Sequence, residues 1–161
     1  MGRHVLPGGR DEGARLFTRD QGGEGLNPQE VQEAIAHAPT GRLKELADRC
    51  LLDAEAEVVS RPRQALVMAR VKETVDGEVF NLGEVLVTGC EVSLGGEPGW
   101  AMVLDHDPER ALCAAVVDAA SRRGGDGVQA ELEGLLAEAR GARKARWAGV
   151  QPTRVSFEEM S

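Results

Sequence analysis

Between residues 64 and 104 the apolar residues recur with a period of two, and two turn signals divide the run. No other feature limits the fold as strongly, because this period suits only strands. Residues 64–73 place Ala65, Val67, Ala69 and Val71 on one face. Asp76-Gly77 then reads as a hairpin turn, since both residue types tolerate positive φ. The stretch EVFNLGEVLVTGCEVSL, residues 78–94, alternates again. Leu86, Thr88, Cys90, Val92 and Leu94 form its more apolar face, which is expected to face the core. Gly95-Gly96-Glu97-Pro98-Gly99 reads as a second turn. Residues 100–104 return with Trp100, Met102 and Leu104 on one face. With a short strand expected over 55–60, the pattern is an antiparallel meander of three or four strands.

Helical periods flank this run. Asn27 can cap free backbone N–H groups and Pro28 suits a first helical position. Val31, Ile35 and Ala38 make one stripe, which Pro39 ends. A second helix is expected over about 41–51 on Leu43, Leu46, Ala47 and Cys50, completing an N-terminal helical hairpin. After the strands, Asp107-Pro108-Glu109 is a strong helix start. That helix should run to Arg123, apolar on Leu112, Ala115, Val116, Ala119 and Ala120, with Gly124 beyond its end. A last helix is expected over about 128–147 on Leu132, Leu135, Leu136 and Ala139. Helices segregate from strands, so the class is α+β, a meander packed against helices. Residues 1–26 read as a flexible tail, 27–150 as one domain, and 151–161 as an extended tail with a short strand-like piece at 153–157.

Composition excludes several functions. The formal charge is −8 and aromatics are 3% with no tyrosine. Nucleic-acid binders need a basic footprint and often stacking platforms, so no nucleic-acid partner is expected. No apolar run approaches the roughly 20 residues of a membrane span. Without an apolar leader, and with three scattered cysteines that fit neither a disulfide framework nor a zinc pattern, the chain reads as cytoplasmic.

Few residues suggest chemistry. Cys90 and Cys113 fall on apolar faces, where a free thiol is core material. Asp105-His106-Asp107 puts an imidazole between carboxylates, yet Asp107 is needed as a cap and a metal requires more converging ligands. The glycine-rich 95–99 segment lacks the following helix that a phosphate cradle needs. Arg140, Arg143, Lys144 and Arg146 exceed what a helix C-terminus requires, and are candidates for a phosphate or an acidic partner. No catalytic, cofactor-binding or metal-binding set assembles, so a binding or scaffold module is expected.

An ordered set of blocks carries a resemblance: 64–71, then Phe80-Asn81-Leu82-Gly83-Glu84, then Val87-Thr88-Gly89-Cys90-Glu91-Val92, then Gly99-Trp100-Ala101, then the D-P-E-R-A helix start leading to Val117-Asp118-Ala119. Together with the two N-terminal helices and Thr153-Arg154-Val155-x-Phe157, this resembles the PhnG family, the G subunit of bacterial carbon–phosphorus lyase, over about residues 28–160. The resemblance implies a non-catalytic accessory subunit of a core complex with the H, I and J subunits. With the H, I and L proteins, such a subunit is needed to form α-D-ribose 1-methylphosphonate 5-triphosphate from ATP and methylphosphonate, with release of adenine. It implies no cofactor in this chain, while the complex uses ATP. Partner contacts are expected from Phe80, Asn81, Leu82, Gly83, Glu84, Trp100, Arg154 and Phe157. The chain departs from the family at Thr88-Gly89-Cys90, where T-R-C is usual, at Asp105-His106-Asp107, where G-R-D is usual, and in its acidic tail. Two other readings stand beside this one: Asp105, His106 and the basic helix end acting on ATP, or a small helix-turn-helix regulator that would bind DNA.

Overall fold

The computed structural model describes residues 25–73 and 76–150. Four helices and three strands follow in the order α1 (Pro28–His37), α2 (Thr40–Asp53), β1 (Ala56–Lys72), β2 (Val79–Leu94), β3 (Glu97–Leu104), α3 (Pro108–Arg123) and α4 (Asp126–Val150). The class is α+β, with one antiparallel sheet in the order β1-β2-β3. No helix among the described residues is long and apolar enough to cross a membrane.

The helix starts form as their residues dictate. Asn27 and Glu30 close a reciprocal capping box on α1, Asn27 Oδ1 accepting from the Glu30 N–H at 3.0 Å. Asp107 accepts from the Arg110 N–H at 2.9 Å and caps α3. Pro39 separates α1 from α2, but the two do not pack on each other as the expected hairpin; each packs on other helices instead. Both pack on α3, and α1 packs on α4.

Helix α3 lies at the centre. Residues 114–120 are all buried, as for a helix enclosed on every side. One side meets the sheet and the other meets α1, α2 and α4. The core joins Cys90, Val92, Leu94 and Ala101 of the sheet to the alanines of α3 and to Val31, Ile35, Leu43, Leu46, Leu132 and Leu135 of the other helices.

The strands differ from expectation in several ways. Residues 55–60 and 64–73 are not separate strands: β1 is continuous, with register shifts against β2 between Val58 and Ser60 and between Ser60 and Arg63. Pro62 lacks an N–H and is tolerated there because β1 is an edge strand that is irregular at this point. The 95–99 turn is shorter than expected. Leu94 pairs with Glu97, and only Gly95 (φ +57°) and Gly96 (φ +88°) lie between. Positive φ at both central residues is the tight hairpin geometry that follows strand twist. The Asp76-Gly77 turn is longer: the Glu73 N–H donates to the Glu78 carbonyl at 2.8 Å, closing the connection outside that pair of residues.

The helices meet the expected face of β2. Thr88, Cys90, Val92 and Leu94 are buried as expected, but Leu86 is exposed. On β3 the residues turned to α3 are Gly99, Ala101 and Val103, while Trp100, Met102 and Leu104 face outward, 46%, 45% and 71% exposed. The cause is the close approach of α3. A Cβ on Gly99 would stand 2.1 Å from the Ala115 carbonyl oxygen and 2.6 Å from the Ala119 methyl. Small residues on both elements allow that approach, and the large ones go to the other face.

Candidate functional site

Strand β3 covers β2 only from Val87 to Leu94. Residues 79–86 of β2 pair with β1 alone, from Lys72↔Val79 to Leu66↔Leu86. This two-stranded arm extends roughly 25 Å at about 3.3 Å per residue. Nothing in it is buried, and Leu66, Met68, Val79, Phe80 and Leu82 are 47–65% exposed. An isolated two-stranded ribbon in water is marginal at best, and this one carries apolar residues on both faces.

Phe80-Asn81-Leu82-Gly83-Glu84 has a structural purpose in the arm. Ala69 pairs with Gly83 and Arg70 with Asn81, so Leu82 is the extra residue of a β-bulge. Gly83 holds φ +142°, a backbone state that side chains disfavour. A bulge bends its strand and re-aims a side chain; here Leu82 is left 65% exposed. The sequence places this block at the start of an alternating stretch but shows no bulge. The structure keeps it in the strand, and the bulge breaks the alternation there.

The outward face of the sheet continues the apolar surface. Val87 pairs with Leu104 and Ala65, Gly89 with Met102 and Arg63, and Glu91 with Trp100 and Ser60. Directly opposed residues share a face. Ala65, Val67, Ala69 and Val71 therefore lie on the same side as Trp100, Met102 and Leu104. Gly89, where the resembled family carries arginine, is not glycine for lack of room: a Cβ there meets nothing closer than 3.9 Å.

The polar residues of the other family blocks hold the fold together. The Thr88 hydroxyl donates to the Asp105 carbonyl at 2.6 Å and accepts from the Asp107 N–H at 3.2 Å, fixing the corner from β3 into α3. Arg110 donates to the carbonyls of Ile35, Ala36 and Ala38, groups that the end of α1 leaves without helical partners. Asp118 is buried in α3. Its carboxylate accepts from the Trp100 backbone N–H at 2.9 Å, from Gln32 Nε2 at 2.8 Å and from Arg122 Nη2 at 2.8 Å. It links β3, α1 and the end of α3. Sequence reading missed these roles, although one aspartate inside the run Ala-Ala-Val-Val-Asp-Ala-Ala was a signal that something must pair with it.

The residues considered for chemistry are not drawn together. Cys50 and Cys90 are buried and Cys113 is half-buried. Burial pushes all three thiols up from their ordinary value, away from the reactive thiolate. His106 is exposed at the corner, beside the Asp107 cap. Among the described residues no group of three or more His, Cys, Asp or Glu side chains could hold a metal. Arg140, Arg143, Lys144, Arg146 and Trp147 line one groove near the end of α4. Two of its cations have partners within the chain: Arg140 pairs with Glu30 and Glu33, and Arg143 with Glu33. These two guanidiniums hold the Glu33 carboxyl below the usual carboxylate range, the Arg140 hydrogen bond first. Lys144 and Arg146 have no such pair among the described residues. Arg154 and Phe157, expected to touch a partner, lie outside the described residues, as do residues 1–24 of the expected 1–26 tail and the strand-like piece at 153–157.

Comparison with known proteins matches the same span. The model of the family described as phosphonate metabolism protein PhnG matches residues 27–161. Over 92 residues the chain is 37% identical to the alpha-D-ribose 1-methylphosphonate 5-triphosphate synthase subunit PhnG of Rhizobium meliloti (strain 1021). That match takes in 56% of this chain and 59% of the relative, under two thirds of the relative's length.

Proposed function

From the premise that this chain belongs to the PhnG family of phosphonate-metabolism proteins, we propose that it is an accessory subunit of a carbon–phosphorus lyase complex. With the H, I and L subunits it serves the synthase step, in which ATP and methylphosphonate give α-D-ribose 1-methylphosphonate 5-triphosphate and adenine leaves. It carries no cofactor of its own, joins the J subunit in the same cytoplasmic assembly, and acts by holding its neighbours. The exposed arm carries this reading. Phe80–Glu84, its most family-specific block, forms a bulge that presents Leu82 and Phe80 to solvent rather than to the core. Large exposed apolar surfaces of this kind mark interaction sites.

Co-expression with the H and I subunits tests the proposal. The expected result is one complex containing all three, and loss of adenine release from ATP and methylphosphonate when this chain is omitted. A stable monomer, with the other subunits assembling and acting without it, would overturn the reading.

A further inference from the structure

The free edge of β1 is set apart by charge. In a chain of net charge −8, residues 58–72 carry Arg61, Arg63, Arg70 and Lys72 and no acidic residue. None of these four cations forms an ion pair among the described residues. They bracket the segment 64–69, which keeps an unbroken register with β2 and contains no proline. The irregular, proline-bearing part of the strand lies before it, over 58–63. Edge strands are commonly blunted by such irregularity along their length; here only the base of the strand is blunted. As β1 is the outermost strand, the backbone groups of 64–72 that turn away from β2 face no other strand.

We infer that this edge receives an extended segment of a partner protein as a fourth strand, apolar at alternate positions and acidic at both ends. Backbone hydrogen bonds supply the attachment and the flanking charges choose the partner. The same charges disfavour a second copy of this chain, since pairing two β1 edges brings cation beside cation. The inference deepens the accessory-subunit reading, on which it rests only for the identity of the protein that donates the strand.

Hydrogen exchange on the full chain, alone and with synthetic peptides, tests it. The probes share a Val-Thr-Val-Thr-Val centre and end in paired glutamates or in paired lysines. Alone, alternate amides of 64–72 should exchange fast. The Glu-ended peptide should protect them and bind about tenfold more tightly than the Lys-ended one at low salt, with the gap closing at high salt. The double variant Arg63→Glu/Arg70→Glu, expected to fold because both side chains are exposed, should reverse the preference. Four outcomes would overturn the inference: the same amides already slow in the chain alone, no binding at millimolar peptide, equal affinity for both peptides, or binding with protection only elsewhere. Because the probes contain no other subunit, co-assembly can fail while the edge still selects the acidic strand, and the reverse; the two readings fail separately.

Discussion

At the scale of single residues, two backbone positions decide how tightly the sheet and α3 fit. Gly99 permits the contact with Ala115 and Ala119. The Gly99→Ala methyl would meet backbone, which cannot turn aside as a side chain does, so about 3 kcal/mol of destabilisation is expected in chemical unfolding. Asp105 is the converse. It holds φ +64°, the one non-glycine positive φ among the described residues. The glycine that the family resemblance puts at this position suits that backbone. Asp105→Gly should raise stability by about 0.5–1 kcal/mol, seen as a higher melting temperature; no rise would mean that the aspartate side chain offsets the strain. Neither effect was legible from composition or period. Asp118 was partly so, because a carboxylate among alanines requires partners, but its partners lie 86 residues upstream and 18 residues upstream.

At the scale of elements, α4 is seated by Leu132, Leu135 and Leu136 in the core, and ion pairs to α1 and α2 flank that contact. Arg42 bridges to Glu131 and Glu138, and Arg140 and Arg143 reach Glu30 and Glu33. Arg140 and Arg143 hold Glu33 below its ordinary value near 4.5, and Arg42 and Arg49 do the same for Glu131. A carboxyl with a lowered folded pKa contributes stability that is full above its unfolded value and lost as pH falls through the folded one. Docking of α4 should therefore be unchanged from neutral pH to about 4.5 and weaken below it, with high salt weakening it at any pH. Hydrogen exchange along residues 128–146, followed against pH, measures this. Loosening confined to pH above 5 would contradict it. The basic cluster itself was visible in the sequence. That two of its members already have carboxylate partners was not, because Glu33 and Arg143 are separated by 110 residues.

At the scale of the whole molecule, one half of the sheet belongs to the core and the other half to the surface. Substituting the exposed arm should consequently separate stability from assembly. The double variant Phe80→Glu/Leu82→Glu should change unfolding free energy by less than about 1 kcal/mol, since exposed positions carry little of the fold. It should abolish co-purification with the H and I subunits, measured on tagged complexes. Lost stability of several kcal/mol with assembly retained would place the arm in the fold instead. By itself the sequence determined the element types, their order, the caps and the α+β class, because period, turn residues and capping are local properties. Alternation also named the covered face of β2, with Thr88, Cys90, Val92 and Leu94; only the tertiary structure decided which face of β3 is covered. Both faces of β3 are apolar, so alternation assigns its residues to two sides without ranking them. The ranking came from size: Gly99 and Ala101 admit an alanine-rich helix, and Trp100, Met102 and Leu104 are left outside.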